Sequence, residues 1–263
     1  MILRRIGNKK KLAKQLYSLF PPHTGRIIPF FGAGGDFFYM PQAKHNIVND
    51  IDSDVFNLFQ VVMHRKDELE AAFRIMPIHQ DLLKYWIKNK ETEPIIRAIR
   101  FLFLSNLTYM GKMDCLNFSI RNMSKQMFFK GIDKTCELLQ DVQFHNADFR
   151  KFFKDISYRD VDFNKPSHER ENVFIYADPK YLGTIDTYKD SDEWTKQDSA
   201  DLFNCLEATR CKFAYSEFNH PFILDQAKQR GLNVITIGER QNLKNRRIEI
   251  LVTNYRNDYK LDL

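Results

Sequence analysis

Apolar positions recur along the chain in two rhythms. Short runs rich in β-branched and aromatic residues predict seven strands, at Arg26 to Phe31, Asn46 to Asp50, Val142 to His145, Val173 to Ala177, Cys211 to Ser216, Asn233 to Ile237 and Ile248 to Tyr255. Between them lie stretches with helical spacing. Leu12, Leu16 and Leu19 form one, stopped by Pro21-Pro22, and others cover Asp148 to Phe153, Thr195 to Thr209 and Pro221 to Gln229. Strands alternating with helices predict an α/β fold in which a mostly parallel sheet carries helices on both faces. From about Ser53 to residue 130 the strands stop. Phe56, Phe59 and Val62 make one apolar stripe, Leu82, Leu83, Trp86 and Ile87 another, and Ile95 to Leu107 is apolar on most sides. That helical block is an insertion between the second and third strands. Thr108 to Lys130 has no clear period and predicts a long loop.

With 263 residues, the chain has room for one α/β domain plus the insertion. Its 43% hydrophobic and 28% charged content predicts a globular product. Forty basic against 34 acidic residues leave a net charge of +6, compatible with a polyanion partner and equally with an ordinary solvated surface. Cys115, Cys136, Cys205 and Cys211 are scattered, which predicts neither a metal site nor a disulfide framework. No apolar run has the length of a signal or membrane span, so a cytoplasmic protein, bacterial or in a host cell, is expected.

Chemistry concentrates where strands end. Val173-Phe174-Ile175-Tyr176-Ala177 runs into Asp178-Pro179, and Pro179 pushes Asp178 out of the helical region. The Asp178 carboxylate and the Pro179 carbonyl then face a common point, two acceptors suited to an amino group, with the flat ring of Tyr181 nearby to stack on it. An ordinary Asp-Pro turn is the alternative. Phe30-Phe31-Gly32-Ala33-Gly34-Gly35 follows a strand, the setting in which glycines let a backbone approach a ligand. Asp50, ending the next strand, is placed to accept from ribose hydroxyls. Asp148-Phe149 opens a helix and reads by itself as a cap followed by a core ring.

Asp178-Pro179-Lys180-Tyr181 resembles the Asp-Pro-Pro-Tyr signature of amino-group DNA methyltransferases, and the other motifs resemble those of the Dam-like (D12 class) adenine-N6 family. Pro29 to Gly34 looks like its S-adenosylmethionine motif, Asn49 to Asp54 its acidic second motif, Ile6-Gly7-Asn8-Lys9 its N-terminal motif, and Asn245 to Tyr255 its closing segment. Lys180 stands where the family has a second proline, and Ile28 where it has an acid. The resemblance implies a seven-stranded Rossmann-like methyltransferase sheet formed by residues 1–55 and 131–263, with a small helical target recognition domain inserted at 56–130. It implies methyl transfer from S-adenosylmethionine to an adenine N6 flipped out of double-stranded DNA, without a metal, by a monomer or weak dimer.

By the same resemblance Asp178, Pro179 and Tyr181 are the expected catalytic residues. Ile6, Gly7, Asn8, Lys9, Phe31, Gly32, Ala33, Gly34, Asp50, Asp148, Phe149 and Asp178 are the expected cofactor set, with Asp148 accepting from the cofactor's adenine amine and Phe149 packing on its base. Arg4, Lys9, Tyr109, Met110, Lys112, Arg246 and Arg247 are expected to touch DNA. Arg121 and Lys125 join them because they alternate with Phe118, Phe128 and Phe129, a mixture that suits phosphate and base contacts and equally a small apolar patch under a loop. Lys180 and Ile28 support a second expectation, a catalytically degenerate relative serving as a DNA-binding or regulatory subunit.

Overall fold

The structure is a computed structural model and describes residues 2–3, 9–108, 125–157, 168–184, 193–241 and 246–256. A 3-10 turn, Lys9–Lys11, leads into α1 (Ala13–Tyr17). Next come β1 (Gly25–Ile28), a second 3-10 turn (Phe37–Tyr39) and β2 (His45–Asn49). A helical block follows, made of α2 (Ser53–His64), α3 (Lys66–Ile75), α4 (Gln80–Lys88), α5 (Pro94–Leu107) and α6 (Lys125–Leu139). The chain then runs through β3 (Val142–His145), α7 (Phe149–Asp155), α8 (His168–Glu171), β4 (Val173–Ala177), α9 (Lys196–Ala208), β5 (Lys212–Phe218), α10 (Pro221–Gln229), β6 (Asn233–Gln241) and β7 (Arg246–Thr253).

One seven-stranded sheet forms in the order β3-β2-β1-β4-β5-β7-β6. The pairs from β3 across to β5 are parallel, and β7 runs antiparallel to both its neighbours. This is the mostly parallel α/β sheet that the strand and helix alternation predicts. Residues of a strand point alternately to its two faces, and β4 buries both. Phe174 and Tyr176 join the core under α1, whereas Ile175 and Ala177 join the core under α9 and α10. Continuing the alternation past Ala177 turns Asp178 toward the α1 side.

The helical block has no separate core. Ile28 and Val48 from the sheet and Phe31 from the turn after β1 share one apolar cluster with Phe59, Phe73 and Leu102 of the helices. The Phe31 ring touches Phe37, Phe38, Phe59 and Phe144, so the block rests directly on the turn that follows β1. Two expectations are corrected here. The strand predicted to reach Phe31 stops at Ile28, because Pro29 has no N–H for a ladder. The loop expected up to Lys130 is helical from Lys125 onward. Phe128, Ile132 and Leu139 form its buried stripe, hidden in the sequence by intervening Lys, Gly and Asp, and Phe128 packs 4.4 Å from Phe73. Among the described residues no helix is long and apolar enough to cross a membrane.

Candidate active site

The carboxyl edge of the parallel strands collects the polar groups. After β1 the chain turns through Gly32 and Gly34, both with positive φ (54° and 64°). A Cβ on Gly34 would lie within 2.8 Å of the Phe31 and Phe38 rings, so only glycine fits there. At Gly32 a Cβ would meet nothing within 4 Å, which leaves the outer side of the turn open. The Gly32 N–H donates to Asp50 Oδ2 at 2.6 Å, and the Asp52 N–H donates to Oδ1 at 2.8 Å. Asp50 thereby pins the glycine turn to the end of β2. Asn49 extends the clasp, donating to the Pro29 and Ala147 carbonyls and accepting from the Ala147 N–H. Three strand ends are thus locked side by side.

Beyond β3, Asp148 caps α7 by accepting from the Arg150 N–H at 2.9 Å. The Arg150 guanidinium lies against Asp148, Asp198 and Asp201, bridging α7 to α9. Phe149 is buried, and its ring sits 5.6 Å from both Phe30 and Trp194. Trp194, held by a bond from its indole N–H to Ser199, covers the ring that the sequence motif offers.

The third group stands at the end of β4. Lys9, from the turn that leads into α1, places its Nζ 2.8 Å from Asp178 Oδ1 and 3.0 Å from Glu249 Oε1. The same ammonium donates to the Tyr181 hydroxyl. That hydroxyl lies 3.0 Å from Asp178 Oδ1 and 2.9 Å from Glu249 Oε1 and can donate to one of them at a time. The antiparallel run of β7 makes this possible, because its first residues lie at the edge where the parallel strands end. Glu249 pairs with Phe218, the last residue of β5, and the Phe218 ring stands perpendicular to Tyr181 at 4.6 Å. Asp178 is 19% exposed, against 3% for Lys9 and 2% for Glu249, so it is the outer end of a buried cluster.

Burial pushes the Asp178 carboxyl up from its ordinary range, and the neighbouring Lys9 ammonium pulls the other way. Asp36, just past the glycine turn, is pushed up to about 6, first by burial and then by the charge of Asp178. Glu217 on β5 points to the opposite face and accepts from the Leu182 and Phe218 N–H groups. Burial raises it to about 7.

The sequence matches the D12 class N6 adenine-specific DNA methyltransferase family over residues 6–247. The chain belongs to this family. It is 22% identical to the modification methylase StsI of Streptococcus sanguinis over 96% of this chain and 42% of that protein. It is 29% identical to the DNA adenine methylase of Escherichia coli K12 over 41% of each chain. It is 22% identical to the type II methyltransferase M1.LlaDCHI of Lactococcus lactis over 95% of this chain and 94% of that protein. The chain thus spans less than half the length of the first two.

In this D12 family chain the predicted residues fall into three classes. Lys9, Phe31, Gly32, Ala33, Gly34, Asp50, Asp148, Phe149, Asp178, Pro179 and Tyr181 lie along one sheet edge, although Tyr181 is 7% exposed and its hydroxyl is held by the Lys9 ammonium. Arg247 donates to the Gly183 carbonyl and lies over Phe218, next to the same edge. Arg4, Ile6, Gly7, Asn8, Tyr109, Met110, Lys112 and Arg121 lie outside the described residues, and only the backbone of Lys125 and Arg246 is described. Lys180 is exposed, and the cation against Asp178 is Lys9, 169 residues earlier in the chain. Glu249, Trp194 and Asn49 were not singled out. The acid within the apolar run Ile248 to Val252 was the one signal that marked Glu249.

Proposed function

We propose that the chain transfers a methyl group from S-adenosylmethionine to the N6 amine of an adenine turned out of duplex DNA. The observation that carries this reading is the Asp178 carboxylate, the exposed end of a buried charge cluster at the strand edge that also holds the glycine turn. The residues along that edge fit the donor. Gly32 leaves room for a ligand beside the backbone, Asp50 offers acid where ribose hydroxyls would bind, and Phe149 offers a ring beside Trp194 for the adenine. When bound, S-adenosylmethionine supplies an electrophilic sulfonium methyl.

An adenine amine is a poor nucleophile because its lone pair is spread into the ring. Asp178 and the Pro179 carbonyl accept its two N–H bonds, which favours a tetrahedral nitrogen with an exposed lone pair and holds it in line for attack. A base still stacked in the duplex cannot reach these acceptors, so it is flipped out. Helices of residues 56–130, packed on the glycine turn, are the proposed reader of the target, with Arg247 and the basic residues before β7 against the DNA backbone.

The rival reading is a subunit that binds DNA without transferring methyl groups. The Lys9 ammonium on Asp178 and the burial of Tyr181, 7% exposed, favour it. Incubation with tritiated S-adenosylmethionine and mixed-sequence duplex DNA separates the two. Label in N6-methyladenine that disappears with Asp178→Ala is the expected result, whereas DNA binding without label would establish the rival.

A further inference from the structure

We infer that Glu249 is a positioning residue for methyl transfer: by sharing the Lys9 ammonium and the Tyr181 hydroxyl with Asp178, it keeps the Asp178 carboxylate a strong acceptor for the substrate amine. The inference rests on the role assigned to Asp178 above.

Glu249 is the mirror of Asp178 across two groups. Lys9 Nζ lies 2.8 Å from one carboxylate and 3.0 Å from the other, and the Tyr181 hydroxyl lies 3.0 and 2.9 Å from the same two oxygens. Glu249, on a side chain only 2% exposed, holds its carboxylate where burial is costly and turns it to the same ammonium as Asp178. Its consequence is electrostatic. An oxygen that alone receives an ammonium proton is a weak acceptor for a third donor, whereas dividing the ammonium between two carboxylates leaves negative charge on each. The contacts from Lys9 and Tyr181 both fall on Asp178 Oδ1. Asp178 is also the member of the cluster that reaches solvent, so the charge it keeps is presented at the surface.

The neighbours of Asp178 act in both directions. Lys9 lowers its affinity for protons, and Glu249 raises it. Asp36 from the glycine turn, Tyr176 on β4 and Glu217 on β5 are coupled to it at longer range. Removing the Glu249 charge hands Lys9 entirely to Asp178. The carboxylate then ionises at lower pH and accepts more weakly.

The test compares wild type with Glu249→Gln, which keeps the size of the side chain and an oxygen for Tyr181. With duplex DNA in excess, kcat is expected to fall about tenfold or more while KM for DNA changes by less than about threefold. The acid limb of the kcat profile is expected to move to lower pH, and so is the carboxyl titration of 13C-labelled Asp178. A purely structural Glu249 would lower activity through loss of folded protein and leave both midpoints in place, and that result overturns the proposal. If Glu249→Gln does not fold, Glu249→Asp, which keeps the charge but retracts it from Lys9, is expected to show a reduced kcat, and a wild-type kcat overturns the inference. If the wild type itself forms no N6-methyladenine, the reading of the function fails. The carboxyl titration needs neither DNA nor cofactor and still judges Glu249.

Discussion

Lys9 gathers Asp178 and Glu249 at the end of β4, and Arg150 gathers Asp148, Asp198 and Asp201 between α7 and α9. The chemistry is alike, a cation among carboxylates, yet Asp178 responds in the opposite direction to Asp198 and Asp201. Around Arg150 the side chains are 24–42% exposed. There the burial penalty on Asp198 is outweighed by hydrogen bonds from Thr195 and Arg150, and the Arg150 bond draws Asp201 down as well. Around Lys9 burial wins, and Asp178 is pushed up despite an ammonium 2.8 Å away. Exposure, not the identity of the partners, decides whether such a cluster is a screened clip between helices or holds a carboxyl above its ordinary range.

Several substitutions test that contrast. Asp178→Ala is expected to reduce methyl transfer by about a thousandfold or more while the thermal unfolding midpoint stays within a few degrees. Tritium counting and calorimetry check it, and retained transfer would mean that the buried cluster is not the reacting centre. Lys9→Met leaves two buried carboxylates facing each other and is expected to cost about 3–5 kcal/mol of stability near neutral pH. Urea unfolding should show that cost shrinking toward pH 5 as the Asp178 carboxyl, pushed up by burial, takes up its proton. An equal loss at both pH values would show that Lys9 acts by packing alone.

Glu217, buried with its pKa raised from 4.5 to about 7, probes burial without a cation. Its folded form holds a proton that the unfolded chain has already released. Its stabilising contribution is therefore complete below about pH 4.5 and is lost as pH rises through 7, a change of about 3 kcal/mol. Glu217→Gln is expected to flatten that slope in unfolding free energies measured between pH 5 and 8. Arg150→Gln should have the smallest effect, about 1 kcal/mol or less, and less again in high salt. Because Asp198 and Asp201 are drawn down, its contribution is present above the ordinary carboxylate range and lost as pH falls through their lowered values, opposite in sign to that of Glu217.

Much of the site was legible because its parts are local. A β-branched strand ending in Asp-Pro, glycines after a strand and an Asp opening a helix each declare their conformation within a few residues. Lys9 was singled out by its motif but not as the partner of Asp178, and Lys180 drew attention as the departure from the family's second proline. Glu249 was passed over because it looks like one residue of a closing strand. Trp194 follows a stretch with no periodicity, and nothing local connects it to Phe149.

Taken alone, the amino-acid order determined the seven strands, the turn that needs Gly32 and Gly34, the helix cap at Asp148 and the carboxylate at the tip of β4, since each follows from backbone sterics or side-chain periodicity over a short span. Only the tertiary structure decided which cation meets Asp178. The strand order and the reversed direction of β7 carry Lys9 and Glu249 to the same point from opposite ends of the chain, and the burial they share there sets the charge that Asp178 presents.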